Sequence, residues 1–278
     1  MRSSMAQRIT TTSPLHAYET LQISPHFASH RMAMSTDARE AKKALRREMK
    51  ARLASLDEAD VAAQSWTAQQ SILSLPQYRR ASKVGIYLSM PMGEARTDLL
   101  VRDALGNGKR VYVPHIHTER NSGANAGMSK VMHMLRMSSF DEYEGLERDS
   151  WGIPHLPHDG AEGRETAMGG LGTSKSASAM SAPERNMDSN EDGGLDLIVV
   201  PSVAFDTQMN RMGHGAGFYD IFLTRLCESG ERKRPFLVGL CLAEQVLPVG
   251  QILMQEWDWR VDAIAVGDGR RLTSKNDA

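Results

Sequence analysis

The stretch that decides the fold is "DLIVVPSVAFDTQMNRMGHGAGFYDIFLTRL", residues 196–226. It opens with an apolar run that ends at Pro201, a pattern typical of a strand covered on both faces. An irregular connection then leads to three alternating glycines, Gly213, Gly215 and Gly217, and the pattern after them predicts a helix. Because ligands of open α/β sheets bind beyond the carboxyl ends of the strands, this segment predicts a ligand site between its strand and its helix.

The glycine segment has the features of an anion site. Glycines leave backbone N–H groups uncovered, and at a helix start these groups and the helix dipole favour an anion, most often phosphate. The Arg211 guanidinium can donate two hydrogen bonds to one phosphate group. The Asp220 carboxylate offers oxygen ligands to Mg²⁺. The alternative is a tight turn in which Asp220 only complements the helix dipole. A dinucleotide fingerprint is excluded, because its third glycine would fall at Phe218.

Outward from this segment, strand and helix patterns alternate along the chain. Strands are predicted over 83–90, 109–116, 130–137, 195–201, 235–242 and 261–266. Helices are predicted over 37–56, 57–73, 97–108 and 216–228. This alternation predicts an α/β fold with a mainly parallel central sheet flanked by helices.

Two segments differ from the rest in composition. Residues 1–35 are rich in Ser, Thr and Arg and contain a single acid, Glu19, as mitochondrial transit peptides do. The alternatives are a disordered extension, or sequence upstream of a start at Met32 or Met34. We therefore divide the chain into an extension or targeting segment, 1–37, and one α/β domain, 38–278. Residues of about 159–194 are rich in Gly, Ser and Ala, which predicts a disordered loop inserted in that domain.

Composition narrows the function further. The chain has 278 residues, 41% of them apolar and 24% charged, with a net charge of −1. That charge offers no basic field to nucleic acid, and no run reaches the about 18 apolar residues of a membrane helix. Two cysteines indicate a reducing compartment rather than a disulfide framework. We expect a cytoplasmic monomer without nucleic-acid or membrane partners, with mitochondrial targeting by residues 1–35 as the alternative.

Three further features place polar groups where a ligand could meet them. Lys42 and Arg46 are four residues apart and share one helix face, either for an anion or as part of a solvated basic face. Glu94 follows the predicted strand 83–90, as a ligand group or as a surface charge. His115 and His117 lie on one face of a strand, but no third metal ligand is near them in sequence.

These parts together resemble the 5-formyltetrahydrofolate cyclo-ligase family. The resemblance covers residues 38–268 except the low-complexity loop. It rests on "AKKALRREMKARL", "YLSMPMGEARTD", "SWGIPHLP", "DLIVVPSVAFDTQMNRMGHGAGFYD" and "RVDAIAV", in the order of the family. It implies a fold like that of ribose-5-phosphate isomerases and CoA transferases. It also implies a ligase that forms a C–N bond, using ATP and Mg²⁺ to act on a reduced folate.

The resemblance also implies roles for individual residues. Lys42 and Arg211 would be catalytic, and Glu94 would hydrogen-bond the pteridine ring. The implied ATP-binding residues are Lys42, Arg46, Arg211, Met212, Gly213, His214, Gly215, Ala216, Gly217, Phe218 and Tyr219. The implied folate-binding residues are Leu88, Glu94, Trp151, His214, Gly215, Gly217 and Phe218. The implied metal ligands are Asp220 and Asp262. For Trp151 the alternative is a place in the core.

The implied reaction activates the N5-formyl oxygen by phosphorylation, after which N10 attacks the formyl carbon and phosphate leaves. The chain departs from the family in one respect. Many members have a basic residue where His214 stands and a lysine where Ala216 stands, which leaves open which cation stabilises the transferring phosphoryl group. Two alternatives remain, a sugar-phosphate isomerase of the same fold and a catalytically silent folate- or RNA-binding module.

Overall fold

The computed structural model describes residues 36–120, 127–172, 194–228 and 233–274. The chain divides into two units, Met1–Arg39 and Glu40–Ala278, and the fold given below is that of the second unit. The segment 1–35, for which targeting is one of the predictions, lies outside the described residues.

The secondary structure alternates between strands and helices, as the sequence predicts. The strands in the described residues are β1 (Lys83–Ile86), β2 (Arg110–Arg120), β3 (Met128–Met137), β4 (Leu197–Val200), β5 (Ala204–Asp206), β6 (Arg211–Met212), β7 (Phe236–Cys241), β8 (Val246–Leu247), β9 (Ala263–Val266) and β10 (Arg271–Thr273). The helices there are α1 (Thr36–Ala54), α2 (Glu58–Leu73), α3 (Pro76–Arg80), α4 (Asp98–Gly106), α5 (Phe140–Glu144) and α6 (Phe218–Cys227).

One large sheet forms the centre of the domain. Its seven strands lie in the order β10-β9-β7-β4-β1-β2-β3. Each neighbouring pair from β9 to β2 is parallel, whereas β10 and β3 are antiparallel edge strands. The predicted mainly parallel sheet is therefore confirmed. The four residues of β4 are all buried, which explains why this strand is apolar without alternation.

A second sheet has three strands in the order β6-β5-β8, and β5 and β6 precede the glycine segment in sequence. Phe205 of β5 is fully buried, and its ring occupies the space above Gly239 of β7. A Cβ atom at Gly239 would lie 2.5 Å from the Phe205 ring, so only glycine allows this close approach. The small sheet thus fixes where the chain between β4 and α6 returns to the main sheet.

Part of the segment predicted as a disordered loop is ordered. Within the stretch of about 159–194, residues 161–163 form a short 3₁₀ helix, and Ala167 is buried against β3. Glu165 accepts hydrogen bonds from the Tyr112 hydroxyl, at 2.5 Å, and from Arg136, at 3.1 Å. Residues 159–172 are therefore ordered because polar groups of β2 and β3 hold them, which composition alone did not indicate. Residues 173–193 lie outside the described residues.

Within the part of the chain that the structure describes, no helix combines the length and the apolar character that crossing a membrane requires. Both cysteines are free thiols. Cys241 is buried and Cys227 is half-buried.

Candidate functional site

The glycine segment forms an exposed loop at the start of α6. Gly215 has a φ of 107° and Gly217 a φ of 71°, backbone conformations that side chains with a Cβ rarely adopt. Gly217 is the N-cap of α6 and provides no side-chain hydrogen bond to the first helical turn. The N–H groups of that turn therefore keep their partial positive charge for an anion.

The basic face of α1 lies against this loop. The Arg46 guanidinium donates from Nε to the Gly213 carbonyl oxygen at 2.8 Å. Lys42 is buried, and its Nζ lies 2.8 Å from an Asp258 carboxylate oxygen. Arg46 therefore contacts the glycine loop and Lys42 is paired with Asp258, so neither belongs to a freely solvated basic face.

Two carboxylates lie among these cations. Asp220 forms a short ion pair with Arg211 and accepts a hydrogen bond from the Trp259 N–H at 3.0 Å. Burial raises the pKa of Asp220 from its ordinary value, the Arg211 charge opposes that rise, and the nearby Asp258 carboxylate adds to it. Asp220 and Asp258 are therefore neighbouring carboxylates, and the cluster holds three cations to balance them.

The structure corrects the prediction for Asp262. Its carboxylate accepts two hydrogen bonds from the Arg234 guanidinium, at 2.8 and 2.9 Å, and one from the Leu237 N–H at 2.7 Å. These partners hold Asp262 at the amino ends of β7 and β9, whereas the candidate site follows the carboxyl end of β1. The carboxylate that adjoins Asp220 is Asp258, which the sequence reasoning missed. Its position between two tryptophans, in "WDWR", was the available signal, because a carboxylate in an aromatic run needs polar partners.

Glu94 lies beside the glycine loop in the segment that follows β1. Its side chain is buried and accepts a hydrogen bond from the Met90 N–H at 2.9 Å. Burial raises the pKa of Glu94 to about 7, although the Met90 hydrogen bond opposes the rise. His214 Nε2 lies 4.0 Å from a Glu94 oxygen, so the tip of the loop borders this carboxyl group.

Tyr219 adds a polar group that the protein itself leaves without a partner. Its hydroxyl is buried and makes no hydrogen bond within the structure as described. Burial, and after it the Glu94 charge, raise the pKa of Tyr219, which shows that the two groups are close. Glu94 and Tyr219 thus place two buried polar groups close together next to the glycine loop. An unsatisfied hydroxyl there is the kind of group that a ligand would hydrogen-bond.

The remaining predicted folate residues differ in their surroundings. Leu88 is buried in the main core. The Trp151 side chain is 69% exposed, so the alternative that places it in the core is wrong. A Cβ at the adjacent Gly152 would lie 2.8 Å from the Pro91 ring, so the Trp151 turn rests on the loop that carries Glu94. Trp151 is therefore available to cover a flat ligand beside Glu94.

The tip of the glycine loop carries little charge. Partial burial, followed by the charges of Arg46 and Lys50, lowers the pKa of His214 below its ordinary value of 6.5. The imidazole is therefore neutral at pH 7, and Ala216 contributes no charge. Positive charge near the loop comes from Arg46, Lys50 and Arg211 instead.

Together, the fold and this cluster define an α/β protein with a cluster of basic and carboxylate groups at a glycine-rich helix start. Comparison with known proteins identifies its family. The model of the 5-formyltetrahydrofolate cyclo-ligase family matches residues 38–267, and the chain belongs to that family of ligases.

The relatives agree with this assignment. The chain is 31% identical to the 5-formyltetrahydrofolate cyclo-ligase of Mus musculus, over 82% of this chain and 94% of that protein. It is 32% identical to the enzyme of the same name from Saccharomyces cerevisiae, over 82% of this chain and 96% of that protein. The NMR structure of Aquifex aeolicus 5,10-methenyltetrahydrofolate synthetase superposes with a TM-score of 0.53 at 22% identity, covering 85% of this chain and 94% of that one. This last likeness confirms the predicted fold.

Proposed function

We propose that the protein converts 5-formyltetrahydrofolate to 5,10-methenyltetrahydrofolate, with hydrolysis of ATP to ADP and phosphate. One observation carries the proposal. In the glycine loop, the Gly213 carbonyl oxygen accepts a hydrogen bond from Arg46 Nε at 2.8 Å. One residue further on, His214 Nε2 lies 4.0 Å from a carboxylate oxygen of Glu94. A basic subsite suited to phosphates and a buried acidic pocket suited to a ring with N–H donors are therefore adjacent, as phosphoryl transfer between two substrates requires.

The proposed nucleotide subsite comprises Lys42, Arg46 and the loop 211–219. Arg46 and Arg211 offer planar guanidinium groups for bidentate contacts with phosphate oxygens, and Lys42 offers a point charge. The uncapped N–H groups at the start of α6 add to these donors. Since His214 and Ala216 contribute no charge, the backbone and the three cations supply the stabilisation that a lysine provides in many relatives.

Asp220 and Asp258 are the proposed Mg²⁺ ligands. Asp258 thus replaces Asp262 in the pair that the resemblance to the family implies. Oxygen ligands suit Mg²⁺. Both carboxylates are largely buried, and each has a cationic partner, Arg211 or Lys42, that also faces the phosphate subsite. When bound, Mg²⁺ would neutralise charge on the phosphates of ATP. The residues present therefore fit this ion.

Glu94, Trp151 and Tyr219 are the proposed folate groups. A pterin ring presents an amino group and a ring N–H side by side, which match the two oxygens of a carboxylate. The Glu94 pKa of about 7 means that the free carboxyl group is partly protonated at neutral pH. We infer that a ring with these donors binds the ionised form and lowers this pKa. The exposed Trp151 would stack on the ring.

In the proposed reaction, the formyl oxygen attacks the γ-phosphorus, and the bond from that phosphorus to ADP breaks. N10 then attacks the formyl carbon and loses its proton, and the C–O bond breaks to release phosphate. Lys42 and Arg211 stabilise charge on the phosphoryl oxygens during both steps. The protein positions the two substrates, because each new bond forms between groups that the substrates already carry.

The test is to mix the protein with 5-formyltetrahydrofolate, ATP and Mg²⁺ and to follow the near-ultraviolet absorbance of methenyltetrahydrofolate. We expect product with one ADP formed for each methenyl group. Folate binding without ADP formation would support the silent binding module instead. Binding of a sugar phosphate without ATP binding would support the isomerase. The monomeric state, the absence of other partners and mitochondrial targeting stay predictions.

A further inference from the structure

We propose that His117, Glu119 and His133 form a binding site for Zn²⁺, separate from the nucleotide site. The three residues lie on the antiparallel hairpin of β2 and β3. The sequence prediction considered His115 and His117 and overlooked Glu119, two residues further along β2, and strand pairing supplies His133.

The register of the hairpin explains how the site forms. Side chains at 115, 117 and 119 alternate onto one face of β2. His133 of β3 is the direct partner of His115, and Val131 is the direct partner of His117. Because partners in an antiparallel pair point to the same face, His133 lies diagonally beside His117. The two rings have centroids 5.1 Å apart.

The separations between the polar atoms match a metal site. Glu119 Oε1 lies 2.9 Å from His117 Nε2 and 3.3 Å from His133 Nε2. The three ligand atoms all lie within 4.8 Å of one another. Tetrahedral Zn²⁺, with bonds of about 2.0–2.1 Å, places its ligand atoms about 3.3 Å apart. A small closing movement of the two imidazoles would therefore complete the geometry.

One hydrogen bond, between His117 Nε2 and Glu119 Oε1, holds part of this cluster and leaves other buried polar atoms unpaired. The side chains of His117, His133 and Glu119 are only 14%, 10% and 15% exposed. Yet His133 Nε2 makes no hydrogen bond despite its distance to Glu119, and His117 Nδ1 is also buried without a partner. Leaving a buried polar atom unpaired costs about 1–3 kcal/mol. A metal ion would use the His133 lone pair and bring both imidazoles to one carboxylate.

The charges around the cluster act in opposite directions on a bound cation. Arg225 of α6 repels a cation here, and the Glu119 carboxylate offsets that repulsion.

The ligand types select the ion. Two imidazoles and one carboxylate suit Zn²⁺, whereas Mg²⁺ prefers oxygen ligands alone. Three protein ligands leave the fourth position of a tetrahedral ion for water. Because the ligands come from both strands, the bound ion would link β2 to the edge strand β3 and stabilise the hairpin.

The experiment uses the full chain, freed of metal by a chelator and titrated with Zn²⁺ by calorimetry. Co²⁺, which shows visible absorption in tetrahedral sites, serves as a spectroscopic probe. We expect one equivalent to bind and the thermal midpoint to rise. Glu119→Gln and His117→Ala should each weaken binding by at least about 100-fold. His155→Ala, a nearby histidine outside the trio, is the matched control and should bind as the parent does.

Absence of Zn²⁺ binding to the metal-free protein would overturn the proposal, as would unchanged affinity in Glu119→Gln. Glu119→Gln keeps the shape of the side chain, so its affinity for Zn²⁺ tests the proposal even if His117→Ala does not fold. Binding must also persist in excess Mg²⁺ and in Asp258→Asn. Its loss there would place the ion at the nucleotide site instead.

Discussion

Replacing Asp258 by asparagine tests the proposed pair of Mg²⁺ ligands, Asp220 and Asp258, with Asp262→Asn as its matched control. Asp258 touches Lys42 at 2.8 Å, and the two side chains are only 15% and 10% exposed. Breaking a buried ion pair costs about 3–5 kcal/mol. Because the asparagine oxygen still accepts a hydrogen bond from Lys42, we expect a loss of about 2 kcal/mol in the free energy of unfolding.

The effect of Asp258→Asn on catalysis should be larger than its effect on stability. The variant removes one proposed Mg²⁺ ligand and alters the position of Lys42, which is proposed to stabilise the phosphoryl group. Loss of one such electrostatic contact lowers the rate by about 10²–10³-fold. We expect kcat/KM for MgATP to fall by that factor, measured from methenyltetrahydrofolate absorbance while MgATP is varied.

Asp262→Asn should behave in the opposite way. Its partner Arg234 is 44% exposed, so the pair is worth about 1 kcal/mol or less. We expect a small loss of thermal stability and kcat/KM for MgATP within about 3-fold of the parent, because Asp262 is remote from the phosphate subsite. If Asp262→Asn abolished turnover while Asp258→Asn kept it, the reasoning from the observed contacts would be refuted.

Three further predictions concern the pocket and the core. Glu94→Gln should change the pH dependence of stability. Since burial raises the folded-state pKa of Glu94 from 4.5 to about 7, stability should fall as pH rises through this window, by about 3 kcal/mol. The difference in unfolding free energy between Glu94→Gln and the parent should therefore grow from pH 4.5 to 7, and a constant difference would contradict it. Trp151→Ala should leave the thermal midpoint unchanged while raising KM for the folate by about 10-fold, about 1.4 kcal/mol; an unchanged KM would exclude stacking. Gly239→Ala should destabilise by about 1–3 kcal/mol in urea unfolding, because its methyl group meets Phe205, and a neutral result would show that the ring moves freely.

Local pattern was enough to predict the sheet and the loop. Residue type alone restricts the backbone conformation in this part of the chain. It was therefore enough to predict the strand in the apolar run 197–200, the loop at the alternating glycines and the helix after them. Lys42 and Arg46 could be assigned to one face because four residues make about one helical turn. Each of these predictions depends on neighbours in sequence.

The missed residues depend on contacts between distant segments. Asp258 contacts Lys42 from an irregular stretch before β9, for which no periodicity exists, and the resemblance to the family was carried over to the nearby Asp262 instead. His133 joins His117 only through the register of β2 and β3, which depends on how the hairpin closes. Composition likewise gave no sign that Glu165 is held by polar groups of those strands.

The Lys42–Asp258 contact also bears on how the chain folds during its synthesis. The two residues are separated by 216 positions, so α1 leaves the ribosome long before its acidic partner does. A nascent chain that ends before Asp258 also lacks β9, which pairs with β7 beside the centre of the sheet. Such a chain exposes both a basic helix and an open sheet edge, which makes it prone to aggregation. The proposed nucleotide site is thus among the last parts of the domain to form.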